Sequence, residues 1–255
     1  MFPVLFRLGS WEIRSYFVFL SLGLITAYII GWREARKAGF SKAKIILFYV
    51  AVLPIALFLG MINGWLINSE FYWGLLHGRL ILYGGLVSYG IVFGLLLTGA
   101  VYARIIRQPV RAMLNLIVPV MPLMLAISRI GCLLNGCCYG MVTTGFGGLF
   151  LPDIYGHWAT RYPIQIFLII LDLALFIWLW IQRKRKVAPR SLVVPFLFWL
   201  AAGRLVIDSL REFPGMVLGL SYYQWEAILI LGVVTIVAIV QKMSKNRTVN
   251  EPSPL

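Results

Sequence analysis

The chain has 255 residues, 61% of them hydrophobic and only 13% charged, with several apolar runs long enough to cross a bilayer; this composition excludes a soluble domain and points to a polytopic helical membrane protein. Its formal charge of +14 sits mostly in short segments between apolar runs rather than interleaved with aromatics on one face, which argues against nucleic acid as a partner. All three cysteines fall within seven residues, so cysteine alone builds neither a disulfide framework nor a four-thiolate zinc site.

Taken in order, the N-terminus MFPVLFRLGSWEIR has no basic stretch leading into an apolar run and a small-residue cleavage site, and no removable signal peptide is expected. Apolar runs at about 13–32, 45–66, 80–103, 113–133, 162–181, 191–210 and 219–241 predict seven transmembrane helices, each near the ~20 residues a bilayer requires. The fold class is therefore all-α integral membrane, with residues 1–255 as one polytopic domain and a disordered tail over about 245–255. Of the 23 Lys and Arg, 16 lie in the segments after runs one, three, five and seven, among them Arg33, Arg36, Lys37, Arg104, Arg107, Arg183, Lys184 and Lys242. The positive-inside rule puts that side in the cytoplasm, with the N-terminus outside and the C-terminus inside.

Ser128–Gly140, SRIGCLLNGCCYG, ends the fourth run with Arg129 and follows it with three glycines, Asn135 and all the cysteines. A charge at membrane depth costs a few kcal/mol, on the order of 3 on insertion scales, and by default marks a functional site. The topology sets three further features at similar depth on the outer side. One is the start of the third run at Tyr83-Gly84-Gly85; the others are Arg204, Asp208 and Arg211, spaced to share one helix face, and the 134–161 connection. Two arginines sharing one carboxylate, with Arg129 as a third cation, suit an anion, and a phospholipid phosphate is the anion available there. The alternative is that Asp208 only neutralises the arginines for insertion. Gly84, Gly85, Gly90 and Ser88 fit either close helix packing or backbone opened to a ligand. The 134–161 segment, with GFGG at 145–148 and His157, reads as a lid or as a linker. His77 and His157 read mainly as interfacial hydrogen-bonding groups. A disulfide among the cysteines is favoured over a partial metal site of Cys132, Cys137 and a histidine; no metal ligand is assigned, and no nucleophilic triad or phosphate-cradling loop is present.

In order along nearly the whole chain, the sequence resembles the bacterial prolipoprotein diacylglyceryl transferases. The opening FPVLFRLGSWEIRSYFVFLSLG is similar to the family's start and sets Tyr16 at its first-span tyrosine; YGGLVSYG at 83–90 resembles its His-Gly-Gly-Leu segment. Pro122-Leu123 and SRIGCLLNGCCYG resemble the signature Gly-Arg-x-Gly-Asn-x-x-Asn-Gly-Glu-x-x-Gly; RYPIQIF at 161–167, GRLVIDSLRE at 203–212 and Gln224-Trp225 resemble later motifs. The resemblance implies transfer of the diacylglyceryl group of phosphatidylglycerol to the lipobox cysteine of a prolipoprotein. The reaction forms a thioether on the outer face of the bacterial cytoplasmic (inner) membrane and releases glycerol phosphate, with no cofactor and a monomeric enzyme.

Carried over by position, Arg129 and Arg204 hold the phosphate and Asp208 orients Arg204, while Tyr83 stands at the catalytic histidine position. Tyr16, Gly84, Gly85, Asn135, Gly140 and Arg211 line the substrate site. The chain departs from the family at Tyr83 for histidine, Cys132 for asparagine, Cys137 for glutamate, Asn115 for aspartate, Ile62 for arginine and Leu168 for glutamate. Either Tyr83 or Asp208 removes the thiol proton, or the thiol ionises in the cationic field, or the activity is changed. The rival readings are a non-catalytic or altered-specificity relative that binds anionic phospholipid or lipoprotein, and a small-molecule transporter, against which the absence of repeated halves counts.

Overall fold

The computed structural model describes residues 2–9, 11–67, 88–184, 191–212 and 218–250. Strands β1 (Val4–Leu8) and β2 (Trp11–Arg14) pair antiparallel and turn at Gly9, whose φ of 61° favours glycine. This hairpin is latched to the first helix, α1 (Ser15–Lys37). The Ser15 N–H donates to Pro3 O at 3.0 Å and its hydroxyl donates to Phe2 O. Arg36 and Lys37 meet the negative end of the α1 dipole. The helix then closes through N–H bonds from Gly39 to Arg36 O and from Phe40 to Ala35 O, with Gly39 at φ 86°.

Helices α2 (Lys42–Ile67) and α3 (Ser88–Ile105) follow, then α4 (Val110–Ile117), a 3-10 turn (Val118–Val120) and α5 (Met121–Asn135) as one run interrupted at Pro119. A second antiparallel hairpin, β3 (Leu149–Pro152) and β4 (Trp158–Arg161), precedes α6 (Ile164–Lys184). Helix α7 (Val193–Ile207) ends in a 3-10 turn (Asp208–Leu210), and α8 is Tyr222–Asn250. Six stretches are long and apolar enough to cross a membrane, and α3 is a shorter apolar seventh among the described residues. This is an all-α integral membrane protein of about seven helices, to which the structure adds two small hairpins that the apolar pattern did not predict.

The α4–α5 run is the central element: 67% of its most apolar stretch is buried, against 33% or less in the other five long spans. Val118, Met121, Leu179 and Phe196 are fully or almost fully buried around it, whereas Ile25, Val50, Ile177 and Leu229 face outward, as a lipid-solvated surface requires. Small residues set how closely the helices approach. A Cβ on Gly23 would come 2.8 Å from Met124 O and one on Gly131 2.9 Å from Phe19 Cβ, joining α1 to α5; one on Gly94 would sit 2.8 Å from Ala56 Cα, joining α2 to α3. Gly90 packs the same way against Gly60, which favours the packing reading of that glycine. Asn115 Oδ1 accepts the Leu192 N–H at 2.9 Å and so ties the start of α7 to α4.

Antiparallel connectivity brings both hairpins, the starts of α1, α6 and α8, and the ends of α5 and α7 to one end of the bundle. Arg161 ties that end together. Its Nη1 donates to Glu212 Oε2 at 2.6 Å, its Nη2 to Asp153 Oδ2 at 3.2 Å, and its guanidinium lies 4.9 Å from the centre of the Tyr139 ring. Asp153 Oδ1 accepts the N–H groups of Tyr155 and His157, both at 2.9 Å. The 134–161 segment is thus a clamped hairpin rather than a bare linker, and His157 serves it by pairing with Asp153 at 3.2 Å.

Burial opposes the Asp153 charge, but the N–H groups of His157 and Tyr155 and the His157 ring outweigh it and hold the carboxyl below its ordinary range. A depressed carboxyl contributes stability above about pH 4 that is lost as pH falls through its folded value. Amide-exchange protection of 149–161, corrected for the intrinsic rate, therefore falls below about pH 4, and Asp153→Asn removes that dependence. Gly94→Leu, with no backbone room at Ala56, lowers stability by about 1–3 kcal/mol in a detergent thermal-shift measurement.

Candidate active site

The buried polar residues gather just below the hairpin end of the bundle. Arg129 lies six residues before the end of α5, about 9 Å down the helix, and is 7% exposed. Arg204 occupies the last turn of α7 and Asp208 opens the 3-10 turn that follows, at 3% and 1% exposure. Both Nε and Nη2 of Arg204 lie 3.1 Å from Asp208 Oδ2, and Arg211 Nη1 is 3.8 Å from Oδ1. The tightening to 3-10 geometry explains this sharing, because it eclipses positions three apart and swings Arg211 over Asp208. Aromatic faces cover the two cations, Tyr89 on Arg204 and Tyr223 on Arg211, each 5.1 Å from guanidinium carbon to ring centre. The first helix contributes Tyr16, which Arg129, Cys132 and Cys138 reach electrostatically.

Past Asn135, Gly136 caps α5 at φ 75° and the Cys137 N–H returns to Cys132 O at 3.2 Å, folding the next residues back over the helix end. Cys138 follows at φ 60°, a left-handed conformation uncommon for a residue with a Cβ. The sulfurs of Cys132, Cys137 and Cys138 all lie within 4.8 Å of one another, and Arg129 Nη1 is 3.9 Å from Cys132 Sγ and 3.8 Å from Cys138 Sγ. All three are free thiols, which corrects the expected disulfide. The Gly136 turn and a 2.8 Å bond from Gln165 Nε2 to Cys137 O hold the loop instead. Hydrogen bonds from the Cys132 and Cys137 thiols, with Arg211 and Arg129, outweigh burial and hold the Cys138 thiol well below its ordinary value. Gly140 then bridges to Arg211, with Met141 N–H on Leu210 O at 2.9 Å, and a Cβ there would collide with the Tyr162 carbonyl.

The structure thus brings together Tyr16, Arg129, Gly140, Arg204, Asp208 and Arg211, with Asn135 buried at the end of α5. Tyr83, Gly84, Gly85 and His77 lie outside the described residues. Asp172 is a member the sequence reading missed. It is 2% exposed on α6, its Oδ1 has no hydrogen-bond partner among the described residues, and Arg129 and Arg204 act on it electrostatically. A lone acid in the apolar run LIILDLALF was the available signal. It stands one turn beyond the fully buried Leu168 on the same helix face. Glu226 on α8 also acts on Arg204. A separate apolar cleft of about 270 Å³, lined by Leu24, Tyr28, Tyr49, Leu53, Met113 and Met124, lies towards the opposite end.

Comparison with known proteins agrees with this arrangement. The family model for prolipoprotein diacylglyceryl transferase matches residues 3–240. A phosphatidylglycerol–prolipoprotein diacylglyceryl transferase of Dehalococcoides mccartyi is 29% identical over 243 residues, 91% of this chain and 90% of that protein. The Clostridium perfringens protein named phosphatidylglycerol–prolipoprotein diacylglyceryl transferase 2 is 30% identical over 237 residues, 89% of this chain and 91% of its own length. The Clostridium tetani enzyme of the same activity name is 30% identical over 225 residues, covering 84% and 87%. With this coverage, the chain belongs to the prolipoprotein diacylglyceryl transferase family.

Proposed function

We propose that this multi-pass bacterial inner-membrane protein transfers the diacylglyceryl group of phosphatidylglycerol to the cysteine thiol of a prolipoprotein. The observation that carries the reading is the convergence of Arg129 and the Asp208-held Arg204, from two helices that both pack on α6, on one buried polar site in a chain of this family. Transfer forms a C–S bond from the acceptor sulfur to the glyceryl carbon and breaks that carbon's C–O bond, whose electron pair leaves on the phosphate. Arg129 and Arg204 neutralise the phosphate as charge grows on it, a task suited to forked guanidiniums held at fixed geometry. Asp208 orients Arg204, and Asp172 acts on both guanidiniums from below. Tyr16, Asn135, Gly140 and Arg211 shape the headgroup site; Tyr83, Gly84 and Gly85 are assigned to it by resemblance.

In this reading the donor lipid enters laterally between helices with its phosphate at the hairpin end; the basic connections at the opposite end support a cytoplasmic position for that opposite end, and so an outward-facing hairpin end. The second reading is an anionic-lipid binder without transfer, favoured by Leu168 filling the family's acid position.

The test is mass spectrometry of a lipobox peptide incubated with purified protein and phosphatidylglycerol. A diacylglyceryl adduct on the cysteine is the expected product; bound lipid without product, beside a working relative, selects the second reading. Arg129→Ala and Arg204→Ala each reduce transfer by about 10²–10³-fold, as for other lost donors to developing anions. Asp172→Asn lowers kcat by about tenfold with the folded yield unchanged, since it replaces the buried acid on which both phosphate-binding arginines act.

A further inference from the structure

The chemistry above leaves the three thiols without a task, although they stand inside the site. Their placement is specific: Cys132 is 3% exposed on the last turns of α5, and the Gly136 turn returns Cys137 and Cys138 to it. A d10 cation bound by thiolates at about 2.3 Å sets neighbouring sulfurs about 3.8–4.0 Å apart in tetrahedral or trigonal geometry. The sulfurs here lie within 4.8 Å of one another, so closure around an ion requires side-chain shifts of about 1 Å or less. Three thiolates around a divalent ion leave a net negative charge. Arg129, within 3.9 Å of two of the sulfurs, and Arg211, acting on Cys138, supply the compensating cations. Three protein ligands with one position open is also the arrangement of catalytic rather than structural zinc sites.

We infer that Cys132, Cys137 and Cys138 form a trithiolate site for a zinc-class d10 cation whose open position takes the acceptor thiol. The identity of that fourth ligand rests on the transfer reading; the three-sulfur site does not. Binding breaks the acceptor S–H bond and passes the proton to water, because a thiol on such an ion is held as the thiolate. The sulfur electron pair then forms the C–S bond while the phosphate departs with the C–O pair between Arg129 and Arg204. Arg129 therefore touches both the nucleophile's site and the leaving group's. The inference also accounts for two departures from the family signature, since Cys132 and Cys137 stand where it has asparagine and glutamate. The ion supplies the deprotonation that the lost acid–base groups would have supplied.

The full-length protein in detergent, reduced and chelator-stripped, with three thiols confirmed by chemical titration, is titrated with Co(II) and then Zn(II). The expected result is about one ion per chain, with a thiolate-to-cobalt charge-transfer band that Zn(II) displaces and that is lost in Cys132→Ser and Cys138→Ser. Transfer to the lipobox peptide falls at least about tenfold on stripping and returns with Zn(II), and the peptide thiol perturbs the cobalt spectrum. No band with the thiols reduced overturns the site, and full transfer by that stripped protein leaves the proposed function standing. Metal binding without transfer in either form overturns the transfer reading and keeps the site. Metal binding with transfer indifferent to stripping overturns the acceptor role.

Discussion

A guanidinium inside a lipid-facing bundle must bring its own counter-charges, and the Arg204–Asp208–Arg211 group is the interaction on which the hairpin end depends. Asp208 is 1% exposed and engages both arginines, with two Arg204 nitrogens at 3.1 Å. Losing the carboxylate would remove the counter-charge that buried Arg204 and partly exposed Arg211 share, a larger penalty than the pairing's net contribution. That requirement explains why α7 tightens into a 3-10 turn at Asp208 and why Arg211 turns outward in extended conformation to meet Gly140. The loop after α5 is thereby stitched to the end of α7.

The guanidiniums are useful only because the helices carrying them are held at fixed depth and rotation. Lipid tails are as apolar as leucine, so burial of apolar surface between helices does little to hold them, and close van der Waals approach matters more. Gly23 and Gly131 provide that approach between α1 and α5, which carries Arg129 and sits at the bundle's centre. On the hairpin side, Arg161 joins Asp153, Glu212 and the Tyr139 ring, and so roofs the site with a braced hairpin.

The departures from the family pattern have structural counterparts. One turn deeper than Leu168, where the resemblance leads one to expect an acid, the helix carries Asp172, on which Arg129 and Arg204 act. Asn115, where the resemblance leads one to expect aspartate, is a neutral acceptor that ties the start of α7 to α4. Cys132 and Cys137, at positions where the resemblance leads one to expect asparagine and glutamate, form with Cys138 a cluster of thiols beside Arg129. In the proposed reading the arginines would handle the leaving phosphate and the thiol cluster the acceptor, two tasks that the geometry keeps on neighbouring groups, Arg129 lying within 3.9 Å of two of the sulfurs.

The number and length of the spans were legible in the sequence because a bilayer demands about 20 consecutive apolar residues, a one-dimensional requirement. So was the shared face of Arg204 and Asp208, since helical periodicity alone puts residues four apart on one side. Tertiary structure alone decided the rest. Asp172 joins Arg129 and Arg204 only because α6 packs on α5 and α7, and no spacing along one helix encodes that. The two hairpins escaped the apolar pattern because their short strands are held by backbone bonds and by Ser15, Asp153 and Arg161 rather than by hydrophobic alternation. The three thiols converge because Gly136 adopts a left-handed conformation that reverses the chain over the last turn of α5. Span and periodicity are local properties of the chain; the site is made where distant segments meet, and its geometry follows from their packing.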